Sequence, residues 1–265
     1  MYELIERLGW FPAGLLSALL IFLRYAILAG SFFLIFYKVW HHHFADRKIQ
    51  HRFPRWSTIR YEIRHSMETA IVFAVIGLGI FGLDQMGWTR MYHDIDAYST
   101  GYWWMSVGIL ILAHDTYFYW MHRLLHRRPW FQWLHRVHHR SFNPTPWSSL
   151  SFHPLEALLE FGIVPLAVIL MPVHTTALLV FATWSLLFNM MGHLGYELFP
   201  RCFVRHPVFR WLNTSTHHNL HHARANCNYG LYFNFWDRIM GTNAPDYARV
   251  FEKRAPAKKQ THVRL

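Results

Sequence analysis

Long apolar runs alternate along the chain with basic, polar stretches, and this alternation predicts a helical membrane protein. Residues 13–37 are apolar apart from Arg24. That is enough to cross about 30 Å of hydrocarbon at about 1.5 Å per residue. Residues 67–83 form a second run, in which Gly77, Gly79 and Gly82 offer close helix contact. A third, aromatic run covers about 101–121. Residues 155–171 and 173–191 are two shorter runs broken at Met171-Pro172, so a tilted or re-entrant hairpin and two full spans are both open readings. The expected fold is all-α: an integral membrane helical bundle of four or five membrane segments, with a histidine-rich helical cap. The chain reads as a single domain over 1–265. Within it, 1–112 holds the first membrane helices and a basic loop (38–65), 113–243 the histidine-rich region, and 244–265 a basic tail expected to be disordered.

Charge orients this bundle. The segments 38–65, 122–154 and 196–265 are rich in Lys and Arg, whereas 1–10, 84–99 and 172–174 are not. Positive loops face the cytoplasm, which puts the N-terminus outside and all three basic segments inside. The expected location is therefore a bacterial inner membrane or the endoplasmic reticulum. The formal net charge of +11 is explained by that orientation, and no nucleic-acid partner is expected, because the basic residues are interleaved with apolar segments. Two cysteines, Cys202 and Cys227, without metal-ligand spacing exclude a thiolate or iron–sulfur site. Glu3 and Glu6 precede the first apolar run in place of a basic leader, so no cleaved signal peptide is expected.

The chemistry sits where the third apolar run ends. His122 and His126 are four apart, His135, His138 and His139 follow at i, i+3, i+4, and His218, His221 and His222 repeat that spacing. Residues three and four apart share a helix face, so each box can turn two or three imidazoles toward one point. Imidazole is a good ligand for iron, zinc and copper. Asp115, Tyr119, His122 and His126 lie on one stripe, and an aspartate in an apolar segment is costly. It reads as a hydrogen-bond acceptor for a ligand histidine, or as a partner of Arg123. His193 ends the last apolar run with Glu197 one turn beyond, as a ligand beside a carboxylate or as an interfacial histidine. His153 is a ligand or a helix cap, and His217 is a further ligand or lies behind the ligands. Asp115, Glu156, Glu197 and Asp237 are the carboxylates expected to support the histidines without binding metal. Asn228 and Asp237, in NYGLYFNFWD, are expected to close the cap. His41, His42 and His43 read as a solvated face.

HRLLH, HRVHH and HHNLHH, with FNPTPWSSLSFHPLE and GHLGYE between them, resemble the HxxxH, HxxHH, HxxHH pattern of the fatty acid hydroxylase/sterol desaturase family. The resemblance runs from about residue 113 to 243. It implies a cytoplasm-facing pair of iron ions and O₂-dependent hydroxylation or desaturation of a lipid drawn from the bilayer. The ligands it implies are His122, His126, His135, His138, His139, His193, His218, His221 and His222. No haem-binding donor domain is recognisable, so electrons are expected from a separate ferredoxin or b-type cytochrome with its reductase. Zinc can replace iron in purified protein, because imidazole sites do not strongly reject it. Hydroxylation is the expected outcome and desaturation the runner-up. A non-enzymatic metal-binding or transport membrane protein is the alternative class, though transport sites usually put their polar groups near the bilayer midplane; a haem carrier would need single axial histidines on facing helices, not clustered boxes.

Overall fold

The apolar runs fold into long helices that bring their basic ends together. The structure is a computed structural model and describes residues 2–256. In chain order the helices are α1 (Tyr2–Leu8), α2 (Trp10–Phe33, continued by a π-helical turn Leu34–Val39), α3 (Trp56–Gln85), α4 (Thr100–Leu125) and α5 (Arg136–His139). They continue as α6 (Pro154–Phe161), α7 (Ile163–Leu170), α8 (Thr175–Gly192), α9 (Ser215–Arg224), α10 (Phe235–Ile239) and α11 (Tyr247–Arg254). Among the described residues, Trp10–Val39, Trp56–Gln85 and Thr175–Gly192 are long and apolar enough to cross a membrane. Their apolar side chains point outward: Leu19, Leu23 and Ile27 on α2, Ile71 and Val75 on α3, and Leu179 and Leu187 on α8 are all exposed. A water-soluble helix hides that face, so this is the surface of a membrane protein.

Several boundaries differ from the sequence reading. Helix α3 begins at Trp56, inside the stretch read as loop. Arg60 and Arg64 lie on its exposed side, while Ile59, Glu62, Ser66 and Thr69 are buried. Glu62 Oε2 accepts the hydroxyl of Thr145 at 2.7 Å. The run 155–171 is two short helices that meet at Gly162, where a Cβ would lie 2.8 Å from the Tyr117 hydroxyl. Close contact between α2 and α3 falls at Gly14, where a Cβ would sit 2.9 Å from Leu78, and not at the glycines expected to make it. Gly77 and Gly79 have nothing within 4 Å, and Gly82 makes only ordinary contact with Trp10. The stretch read as a disordered tail contains α11, whose Tyr247 and Phe251 are buried against Phe203, Leu220 and Cys227. The rest of that stretch, 257–265, lies outside the described residues.

At one end of the bundle a two-residue parallel pair, β1 (Met91–Tyr92) and β2 (Val173–His174), joins the connections α3–α4 and α7–α8. Val107, Leu110, Val164, Val168 and Phe181 pack beside it. At the other end the cap closes over Tyr25, Ala29, Phe152, Leu186 and Met190. A strap fixes the cap's edge: Ile49 N–H donates to Gly195 O at 3.0 Å and Glu197 N–H to Arg47 O at 2.9 Å. Between them the Lys48 ammonium sits 4.6 Å from the rings of Tyr37 and Tyr196 and 5.0 Å from Phe53, an aromatic cage that holds a cation. Gly195 has φ +75°, and a Cβ there would run into the Tyr37 hydroxyl, so the turn requires glycine.

Candidate metal centre

Four helix ends supply the histidines. His122 lies in the last turn of α4 and His126 caps it. His135 ends a π-helical turn that leads into α5, which carries His138 and His139. His193 caps α8. His218, His221 and His222 lie on α9, whose start is capped by the Thr214 side chain accepting from His217 N–H at 3.3 Å. All nine histidines picked out in the sequence come together, in two groups: His122, His126, His135, His139 and His221, and then His138, His193, His218 and His222. Within each group one nitrogen per residue lies within 4.8 Å of every other.

A box therefore does not aim at one point. The i, i+4 pairs stay together, as His135 with His139 and His218 with His222, while the i+3 member, His138 or His221, turns to the other group. Four residues advance a helix by about 400° and three by about 300°, so the middle histidine points some 60° to one side of its first partner. One HxxHH segment thus serves two neighbouring centres.

The nitrogen geometry fits cations. Nε2 atoms meet at 3.1 Å for His122 and His135, 3.1 Å for His126 and His221, and 3.0 Å for His139 and His221. In the second group the separations are 3.3 Å for His138 and His193, 3.0 Å for His193 and His218, and 3.1 Å for His218 and His222. Ligands at right angles about 2.1 Å from an ion stand about 3.0 Å apart, and tetrahedral ones about 3.4 Å. Where both rings give their Nδ1 proton to a carbonyl, as His138 and His193 do, the contact is not a hydrogen bond between rings. Nδ1–H of His122 donates to Tyr229 O at 2.8 Å, that of His193 to Asn189 O at 2.8 Å, and that of His221 to Cys227 O at 2.7 Å. His135 Nδ1–H donates to Glu156 Oε1 at 2.5 Å, and His138 faces Ser151 O at 3.4 Å. A carbonyl can only accept, so the rings of His122, His138, His193 and His221 carry their proton on Nδ1 and point a bare Nε2 lone pair inward. Lone pairs facing lone pairs in a buried site are unfavourable without a cation between them. His222 differs: its Nδ1 is buried without a partner.

Burial keeps the rings neutral. Burial first, and then the neighbouring imidazoles, push His139 down to about 3, and burial pushes His193 down to about 4. Neutral imidazole is the form that binds metal. The first group is the less enclosed one, since His126 and His139 are partly exposed, whereas all four members of the second are buried.

Asp115 and Glu197 lie elsewhere than the sequence reading placed them. Asp115 touches no ligand histidine; its Oδ1 accepts the backbone N–H groups of Tyr232 at 2.8 Å and Phe233 at 3.1 Å. Arg123 is not its partner either, since Arg123 donates to the Tyr119 hydroxyl at 3.2 Å. Glu197 does not reach His193. It accepts from the N–H and hydroxyl of Thr216 at 3.1 and 2.6 Å and so anchors the start of α9. Asp237 accepts from Tyr229 N–H and Gly230 N–H, both at 2.8 Å, and from the Thr242 hydroxyl at 2.7 Å. Asn228 ties the same loop down: its amide donates to His217 O at 2.9 Å and its oxygen accepts Ala244 N–H at 2.7 Å. His153 caps α6, accepting Leu155 N–H at 3.2 Å, and His217 is fully buried 3.6 Å from Asp237; neither joins a group. Glu156 is the carboxylate that holds a group histidine. Glu156→Gln is expected to weaken metal binding in the first group about 10–100-fold, measured by competition with a chelator. Wild-type affinity would leave Glu156 a packing role only.

Beneath the histidines an apolar cavity of about 430 Å³ opens between α2, α3, α4, α6, α7 and α8. Its wall includes Phe118, Phe152 and Asn189. Phe152 packs 4.9 Å from the His138 ring, Phe118 packs 4.9 Å from that of His122, and Asn189 holds His193. The cavity therefore ends against both groups.

Fold and site together define a helical membrane protein with paired imidazole clusters over a lipid-sized cavity. The family model described as fatty acid hydroxylase matches residues 107–242, and the chain belongs to that family of oxidoreductases. It is similar to a Delta(7)-sterol 5(6)-desaturase of Gibberella zeae, with 32% identity over 79% of this chain and 58% of that protein. Human lathosterol oxidase is 27% identical over 69% of this chain and 60% of its own length. Rat cholesterol 25-hydroxylase is 33% identical over 51% and 46%. The chain thus spans only about 60% of the length of such curated relatives. No solved structure matches it.

Proposed function

We propose that this protein oxidises an unactivated C–H bond of a membrane lipid, using O₂ and two iron ions held by the nine histidines. The observation that carries this reading is the pair of all-imidazole groups against which an apolar cavity ends. Iron bound there would supply the O₂ chemistry that no side chain can. The chain's own residues do the rest. Nδ1–H bonds to Tyr229, Glu156, Asn189 and Cys227 hold the rings in one tautomer. Phe118 and Phe152 keep water from the lipid where it meets the cap.

Two products are consistent with the site. A new hydroxyl needs one hydrogen removed, and the rat cholesterol 25-hydroxylase relative supports it; a new double bond needs a second hydrogen held in register, and the names of the sterol desaturase relatives favour it. Cells expressing the protein are supplied with heavy-isotope O₂ and their lipids weighed by mass spectrometry. Label in a new hydroxyl, lost in the His138→Ala variant, is the expected result. A product lighter by two hydrogens without label makes it a desaturase. No histidine-dependent lipid change, in a host with suitable lipids and donor, removes the enzymatic reading.

We further propose five membrane passages, with α6 and α7 together making the fourth, an outside N-terminus and a cytoplasmic cap. Support comes from the charges: Arg52, Arg55, Arg127, Arg128, Arg136 and Arg140 are exposed at the cap end. The last four flank the partly exposed His126 and His139, which favours electron entry there from a separate acidic donor. Cysteines introduced near residues 95 and 226 should label from opposite sides of the membrane. Labelling from one side overturns this topology.

A further inference from the structure

One face of the cap is both apolar and basic. Val208, Phe209 and Trp211, before α9, and Phe235, Ile239 and Met240, on or just after α10, are all exposed. The two segments form one unit: Leu212 bridges Phe233, Asn234 N–H donates to Trp211 O at 2.9 Å, and the Trp211 and Phe235 rings stand 6.4 Å apart. Arg210 and Arg238 both lie over the Trp211 ring, at 5.0 and 5.3 Å. Arg238 donates to Asn234 Oδ1 at 2.6 Å and to Arg210 O at 3.1 Å. Arg210 is exposed, and among the described residues its guanidinium makes no hydrogen bond or ion pair. The only acid in 199–213 or 233–243 is Asp237, which is fully buried and taken up by Tyr229, Gly230 and Thr242. Two like charges held on one indole without a counter-ion point to an anion.

The depth of this face is set by α4. Trp236 of α10 donates from Nε1 to Thr116 Oγ1 at 3.2 Å, and its ring packs 5.5 Å from Trp120 and 6.0 Å from Tyr119. Leu112, Thr116 and Trp120 form an exposed stripe of α4, the side that lipid covers when α4 crosses the membrane. Thr116 precedes His122 by six residues, about 9 Å along the axis. Helix α10 therefore sits on the lipid side of α4, at the level where the bilayer meets the cap. We propose that this face of the cap is seated in the bilayer surface, with Arg210 and Arg238 holding the phosphate of an anionic phospholipid. This rests on reading α4 as a membrane passage. The apolar side chains enter the acyl region while the arginines keep their charge among the headgroups. A phosphate oxygen accepts from a guanidinium more strongly than a neutral acceptor does. A zwitterionic headgroup brings its own cation, which the two arginines repel.

The test places a fluorescent maleimide on Ile239→Cys, in the full chain with the exposed Cys202 changed to serine, in phosphatidylcholine nanodiscs. Trace phosphatidylglycerol or phosphatidylcholine carrying a nitroxide on the upper acyl chain is the quencher, and neither turnover nor an electron donor is needed. A basic residue at an anionic lipid surface is worth about fivefold in affinity. Two of them predict that nitroxide-labelled phosphatidylglycerol half-quenches at a mole fraction roughly twenty-fivefold lower than its phosphatidylcholine counterpart. Arg210→Gln should cut that ratio to about fivefold. It removes no side-chain bond, so it decides the matter even if Arg238→Gln, which loses the tie to Asn234, fails to fold. Equal quenching by the two lipids, or an unchanged ratio in Arg210→Gln, overturns the site. So does binding of an acidic protein that Arg210→Gln weakens while both lipids quench equally, since the patch then belongs to that partner. A label on Leu112→Cys separates the two readings. Quenching at 112 but not at 239 sinks the seated cap alone, and quenching at neither sinks the α4 passage with it.

Discussion

The His138→Ala protein is expected to carry about one equivalent of metal where the wild type carries about two, and to lose lipid oxidation altogether. His138 lies on the middle position of its box and turns away from His135 and His139 to face His193 at 3.3 Å. Its loss leaves three imidazoles in the second group and all five in the first. The first group should therefore keep its ion, and the partial loss separates this case from general unfolding. Elemental analysis of purified protein reads the stoichiometry, and lipid mass spectrometry reads the activity. His153→Ala is the control: that residue caps α6 and stands outside both groups, so metal content should not change, at a cost of about 1 kcal/mol in helix stability. Full metal content in His138→Ala would remove His138 from the ligand set. Equal loss in both variants would mean that the assay reports folding.

The histidines were legible in the sequence because their spacing is helical and the helices form. Their division between two groups was not, because it depends on where α4, α5, α8 and α9 converge. Asp115 shows a different limit. It shares a stripe with His122, but seven residues is about 10 Å along a helix, out of reach of a short side chain. The carboxylate is taken instead by backbone N–H groups of Tyr232 and Phe233, more than a hundred residues away in sequence. Glu197 followed the same course: Gly195 turns the chain after α8, so the helical spacing from His193 does not continue and Glu197 reaches Thr216. Charge obscured the start of α3, since arginines on one face conceal a buried stripe on the other. The helix α11 was hidden by its basic flank, although Tyr247 and Phe251 sit four apart on the buried face. Most partners of the histidine Nδ1 atoms are backbone carbonyls, which every residue has and no sequence pattern marks.

That dependence on backbone carbonyls makes the second large expected effect one of a residue that touches no histidine of either group. Asp237→Asn should lower thermal stability by on the order of 3 kcal/mol and reduce metal affinity in the first group about 10–100-fold. The carboxylate accepts Tyr229 N–H on one oxygen and Gly230 N–H on the other, with the Thr242 hydroxyl sharing the first. Those bonds fix the peptide whose Tyr229 carbonyl takes the proton of His122 Nδ1. An asparagine has one acceptor oxygen, so either orientation of its amide turns an NH₂ group against one of the two backbone N–H groups. The site is fully buried, which leaves that N–H unpaired. The loop is closely packed there, since a Cβ at Gly230 would lie 3.0 Å from Asp237 Oδ2 and 3.2 Å from Asn213 Nδ2. The loop should then loosen, and His122 should lose the acceptor that fixes its tautomer. Thermal unfolding and chelator competition on the purified variant read the two effects. Because His138, His193, His218 and His222 do not lean on this loop carbonyl, the second group should retain its ion. Unfolding that falls as expected with metal binding unchanged would confine Asp237 to the fold. Wild-type behaviour in both measurements would show that the loop is held by something other than this carboxylate.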